Sequence, residues 1–164
     1  MDTAGTLDLD NDTLGNLDWV IASFHKQTFI VSTRYAHTEA LIQAAANPYV
    51  DMFGHLDAPE YPFDIREVIQ ACKEHGKYIE MNDSSSRIRV GGEEMCRKIA
   101  LECMHQEVPV VINSDAHCPW DIGRISTVAE LLESVSFPEE LILNRKVSNI
   151  ISHIEQKKKR VIIE

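Results

Sequence analysis

The chain has 164 residues, 44% of them hydrophobic and 26% charged. That is an ordinary globular balance, and at about 150 residues per domain it predicts one domain spanning the whole chain. Its 16 Lys and Arg against 26 Asp and Glu leave a formal charge of −10, which argues against nucleic-acid and membrane-surface partners and suits a protein that binds cations. No apolar run approaches the roughly 20 residues of a membrane helix. The opening MDTAGTLDLDNDTLG has neither the basic nor the apolar region of a signal peptide, so a cytoplasmic location is expected. Cys72, Cys96, Cys103 and Cys118 form no C-x-x-C pair and read as small thiols in a reducing compartment. Cys118 stands apart because it follows His117.

The first apolar, β-favouring run is Leu17–Phe24. A helix is expected over His37–Pro48, with Thr38 as its N-cap and Asn47-Pro48 as its end. Tyr49–Gly54 is the next strand. Asp64 then caps a helix over Ile65–Gly76, where Ile65, Val68, Ile69 and Cys72 recur at i, i+3, i+4 and i+7. Gly76 suits the residue after its end. Lys77–Asn82 is a strand, followed by a polar Ser/Gly/Arg loop and a helix over Glu93–Gln106. Val108–Asn113 is the most continuously apolar strand, as expected of one buried on both faces. A helix over Ser126–Val135, a short strand at Leu141–Asn144 and a helix over Val147–Gln156 complete the series. The basic run Lys157–Arg160 reads as a solvated helix end, where positive charge is favourable. Strands alternating with helices predict an α/β fold with a parallel sheet.

Parallel α/β folds carry their chemistry beyond the carboxyl ends of the strands. His25 follows the first strand, His55 the second, Asn82-Asp83 the third, and Asp115 and His117 the last of these four. Histidine and carboxylate converging at strand ends can bind Zn²⁺, Mn²⁺ or Fe. On an extended segment, residues two apart such as Asp115 and His117 point the same way. A lone histidine at a strand end is more often a loop residue bonded to backbone, but four candidates at one edge favour a shared site. His37 reads as a surface residue. His75, His105 and His153 read as structural or solvent-exposed.

The wording of these motifs resembles a family. ASFHK (Ala22–Lys26), TEALIQAAANPYVDMFGH (Thr38–His55), YIEMNDSSSRIRVGGEEMC (Tyr78–Cys96), VPVVINSDAH (Val108–His117) and FPEELILN (Phe137–Asn144) look like the C-terminal half of PHP-domain phosphoesterases. The branch is that of stand-alone bacterial metal-dependent hydrolases related to histidinol phosphatase, the YcdX-like proteins. The resemblance implies part of a distorted seven-stranded, TIM-like β/α barrel whose site holds up to three divalent metals, with zinc first and manganese or iron as alternatives. It makes His25 and His55 ligands of one metal, Asp115 of a second and His117 of a third. Arg89 is the candidate to bind an oxygen of a small phosphorylated substrate in a bidentate fork, with a solvent-facing loop arginine as its equal alternative.

The family pattern also includes an H-x-H strand end, two further histidines and a metal-bridging glutamate upstream of the match. No H-x-H occurs here and no histidine precedes His25. Leu56 stands where proline is common, and Asn82-Asp83 where two asparagines are. The resemblance therefore implies an incomplete, weakly active or inactive portion of a metal-dependent phosphatase. Such a chain is expected to form a homo-oligomer or to associate with a missing N-terminal half, because exposed strand edges invite pairing. Two other readings stay open: a non-catalytic PHP-like domain for assembly or binding, and an amidohydrolase-like metal hydrolase.

Overall fold

Helices of eleven to fifteen residues cannot close tight hairpins, so the strands they connect run parallel as crossover units. A computed structural model describes residues 1–26 and 29–161. The order is α1 (Asn11–Gly15), β1 (Ile21–Ala22), α2 (Arg34–Ala46), β2 (Met52–Phe53), α3 (Ile65–His75), β3 (Tyr78–Asn82), α4 (Asp83–Ile88), α5 (Gly92–Gln106), β4 (Val110–Asn113), α6 (Ser126–Ser134) and α7 (Val147–Val161). The four strands form one sheet in the order β1-β2-β3-β4, all parallel. This is an α/β fold, consistent with part of a β/α barrel.

The core lies between the sheet and the helices that follow its strands. Ile79 and Met81 of β3 are buried together with Leu41, Ala44, Val68, Ile69, Cys72, Ile99 and Cys103. Tyr78 and Glu80, alternating with them, are only half-buried, as the two-residue period of a strand requires. α3 forms where expected. Asp64 accepts from the Glu67 amide at 3.2 Å, and Gly76 ends the helix at φ 63°, a left-handed position that glycine adopts without steric cost.

Several expectations fail for reasons of partnership. α2 begins earlier than its periodicity implies, capped by Thr33, whose side chain accepts from Ala36. Thr38 lies inside the helix instead, donating to Arg34 O and accepting from the Asp64 amide. His37 is fully buried, not on the surface. Its Nε2 accepts from the Ser32 amide, so Nδ1 is the nitrogen that donates to Pro62 O.

The strand expected at Leu141–Asn144 is a pair of 3-10 turns, with a single parallel bridge from Ile142 to Val110. The Asn144 side-chain amide takes the place of strand backbone, bonding both Ile112 N and Ile112 O. The polar loop after β3 contains α4. Its Asn82 cap holds the Ser85 amide, and buried Asp83 accepts from Arg87 and from Val128 N at the start of α6.

The basic run at the end of α7 is not uniformly solvated. Lys157 is buried and reaches Asp51 at 2.5 Å and Tyr49 O at 3.1 Å. His153, one turn earlier, bonds the other Asp51 oxygen and Tyr78. Lys158 remains exposed, and the Arg160 side chain lies outside the described residues.

Candidate functional site

A parallel sheet delivers all its carboxyl ends to one edge. His25 lies three residues beyond β1, His55 two beyond β2 and Asp115 two beyond β4. His55 and Asp115 both have positive φ, 37° and 46°. A left-handed backbone at a residue with a Cβ costs roughly 1–2 kcal/mol, and such strain persists where the surroundings impose it, often at functional sites.

His25 and His55 meet. Their Nε2 atoms are 3.4 Å apart and the rings stand edge to face, with centroids at 4.8 Å. Glu80, in the middle of β3, holds this corner. One carboxylate oxygen accepts from the His55 amide at 2.7 Å and from Asn82 Nδ2, and the other accepts from Asn113 Nδ2 at 2.8 Å. Gly54 lets β1 lie close to this turn, since a Cβ there would come within 2.9 Å of Ile21 Cγ2. Burial, then the charges of Arg89 and His25, hold the His55 pKa below its ordinary value. Its imidazole is thereby kept neutral, the form that binds a metal.

Both histidines line a cavity of about 220 Å³ with Phe24, Lys26, Glu60, Tyr61 and Arg89. The short junction between α4 and α5 places Arg89 there. Its amide bonds Ser85 O and its carbonyl accepts from Gly92 N. A Cβ on Gly92 would come within 2.9 Å of Ser85 O. Arg89 Nη1 and Tyr61 Oη are buried without a hydrogen-bond partner, and Ser85 Oγ and the Asp57 carboxylate, buried beside each other, fall short of good hydrogen-bond geometry. So many unsatisfied buried polar atoms in one neighbourhood are uncommon, because each carries a desolvation cost. Burial pushes the Asp57 carboxyl up to about 6, against the partial opposition of the Ser85 hydroxyl and the Arg89 charge. A larger open groove of about 630 Å³ runs between the start of α3 and the outer face of α5, and neither histidine lines it.

Asp115 and His117 lie on the same edge but outside this cavity. The segment carrying them is a turn, not an extended strand. Asp115 is left-handed and the His117 Nδ1 folds back onto Asp115 O at 2.8 Å, so the two side chains are not aligned by strand alternation. Cys118 is half-buried and bonds Asp121. Among the described residues, no three His, Cys, Asp or Glu side chains form a group able to hold a metal ion.

Sequence reasoning missed Glu80, Asp57 and Tyr61. Glu80 had a readable signal, a carboxylate inside a strand flanked by Ile79 and Met81, where an ionised group needs partners. Asp57 and Tyr61 had none, because their burial arises from α4 and from the Phe24 and Phe29 rings, which are far away in sequence.

The chain is 42% identical over 161 residues to a probable phosphatase of Acetivibrio thermocellus, in a match covering 98% of this chain and 67% of that protein. It is 44% identical over 163 residues to a probable phosphatase of Caldanaerobacter subterraneus subsp. tengcongensis, covering 98% and 64%. A probable phosphatase of Thermoanaerobacter pseudethanolicus is 40% identical, with 98% and 66% covered. The chain thus spans about two thirds of the length of these relatives. No protein-family model matches it.

Proposed function

We propose a function from one premise: this chain belongs to the family of probable phosphatases that it matches. It contributes a metal-binding and phosphate-binding section to a phosphomonoester hydrolase of PHP type. The observation that carries this reading is the 3.4 Å separation of the His25 and His55 Nε2 atoms. Two nitrogens at about 2.05 Å from a tetrahedral ion are about 3.3–3.4 Å apart, so the pair has the bite of a zinc chelate. Mn²⁺ or Fe at the same nitrogens is the alternative.

When bound, such an ion lowers the pKa of a coordinated water and neutralises charge on the phosphoryl oxygens. The chain's own residues do the rest. His55 is kept neutral by burial and presents Nε2 toward His25. Glu80 fixes the turn carrying His55 through its amide. Arg89 faces the cavity with a guanidinium nitrogen that no protein atom satisfies, ready for a phosphate oxygen. Asp115 and His117, on the same edge but outside this cavity, are assigned to a second and a third ion, as the family resemblance implies.

The test is zinc affinity by competition with a chromophoric chelator, together with hydrolysis of 4-nitrophenyl phosphate in added Zn²⁺ or Mn²⁺. His25→Ala and His55→Ala are each expected to weaken zinc binding by more than about tenfold, the loss already caused by removing an outer-shell partner of a metal ligand. Zinc bound equally by wild type and both variants would refute the assignment.

A further inference from the structure

We propose that Tyr61 is a substrate-contact residue: its phenol, with Arg89 Nη1, forms an oxyanion subsite beside the His25–His55 pair. The inference deepens the hydrolase reading and rests on it for the identity of the ligand, a phosphomonoester.

The argument starts from which polar atoms are unsatisfied. At this cavity the two orphaned groups that line it, Tyr61 Oη and Arg89 Nη1, are both donors. Two buried donors call for an acceptor-rich ligand, not for a cation. Tyr61 is 4% exposed, and its hydroxyl has no acceptor; its chain neighbour Glu60 pairs instead with Lys26 at 3.3 Å. Burial, then the Glu60 charge, raises the Tyr61 pKa, so the phenol keeps its proton and donates.

The ring is placed firmly. It packs against Phe24 at 5.2 Å, Phe29 at 5.7 Å and His37 at 5.7 Å between centroids. His37 also grips Pro62 O, the carbonyl next along the chain. Buried His37, packed against Phe24 and Tyr61, thus anchors the tyrosine. Asp57 lies within electrostatic reach of Arg89, so its carboxyl is an acidic neighbour of the guanidinium. Lys26 supplies a further positive charge at the rim, with Glu60 as its counter-ion. Three donor side chains, Tyr61, Arg89 and Lys26, therefore surround the space next to the histidines, with acidic groups behind or beside them.

The test uses inorganic phosphate as the probe, titrated calorimetrically into the full chain with and without saturating Zn²⁺. Tyr61→Phe removes one hydroxyl and keeps the ring packing. It is expected to weaken phosphate binding about 10- to 100-fold, the value of a hydrogen bond to a charged group, with zinc affinity unchanged. Arg89→Lys, which removes the fork but not the charge, is expected to weaken phosphate by a similar factor. Wild-type phosphate affinity in Tyr61→Phe, or no phosphate binding by the wild type in either condition, overturns the subsite.

Parallel assays of 4-nitrophenyl phosphate turnover separate the two readings. Tyrosine-dependent phosphate binding without any turnover supports the subsite and counts against the hydrolase. Zinc-dependent turnover whose kcat/KM is unchanged in Tyr61→Phe supports the hydrolase and overturns the subsite.

Discussion

Replacing Asp51 should be among the most damaging single changes in this chain. Asp51 is 3% exposed and accepts three strong bonds: from Val20 N at 2.7 Å, His153 Nε2 at 2.8 Å and Lys157 Nζ at 2.5 Å. These join the entry to β1, the start of β2 and the last helix, 106 residues away. Asp51→Ala strands the buried Lys157 ammonium, leaving it the Tyr49 carbonyl as an acceptor. Removing one partner of a buried ion pair costs about 3–5 kcal/mol. Lys157→Met in the same background removes the stranded charge, so the double variant is expected to recover about 2 kcal/mol relative to additivity.

The assay is urea denaturation followed by Trp19 fluorescence, because that indole stacks on Tyr78 and tilts against His153. Trp120, 87% exposed, is replaced by Phe to remove background. The pH dependence follows the same bonds. Burial alone raises the Asp51 pKa, but the bonds from His153, Lys157 and Val20 outweigh it and the net shift is downward from 3.8. A carboxylate depressed in the folded state contributes stability that is complete above its unfolded value and lost as pH falls through its folded value. The gap between wild type and Asp51→Ala should therefore be constant between pH 8 and about 5, and narrow below 3.8. A cost under about 1 kcal/mol, or a gap that widens in acid, would refute the reasoning.

Two further outcomes follow from local geometry. Gly5 and Gly76 share a left-handed backbone, but a Cβ at Gly5 would sit 2.4 Å from Ala40 O while one at Gly76 meets nothing within 4 Å. Gly76→Ala should cost only about 1 kcal/mol of backbone strain. Gly5→Ala should cost about 3 kcal/mol or more by adding a backbone clash, and equal melting temperatures for the two would contradict this. Among the thiols, Cys72, Cys96 and Cys103 are buried and Cys118 is half-exposed, and burial pushes Cys72 up to about 12 and Cys103 well above its ordinary value. A thiol-reactive disulfide reagent should therefore titrate one fast equivalent in the native chain and all four in denaturant, whereas rapid reaction of more than one native thiol would overturn that burial pattern.

How far the sequence could be read depends on where each residue's partner lies. α3 was legible to its boundaries because cap, apolar period and terminating glycine fall within thirteen residues, from Asp64 to Gly76. The alternation of strand and helix was legible for the same local reason, and with it the arrival of His25 and His55 at one edge. What distance in sequence concealed was partnership. His37 looked like surface because its acceptor is Pro62 O, 25 residues on. Lys157 looked solvated because Asp51 lies 106 residues back. The missing fifth strand shows a subtler limit: the residues of Leu141–Asn144 do come to the edge of β4, but Asn144 satisfies Ile112 with a side-chain amide, and no backbone ladder is needed. The same logic explains why the histidine pair was readable and its surroundings were not. A histidine just past a strand end announces itself by type and position, whereas Tyr61 and Asp57 acquire significance only once α4, the Phe24–Phe29 rings and the Lys26–Glu60 pair have taken their places. Unsatisfied atoms are a property of the folded neighbourhood, so a functional role that rests on them becomes visible only in three dimensions.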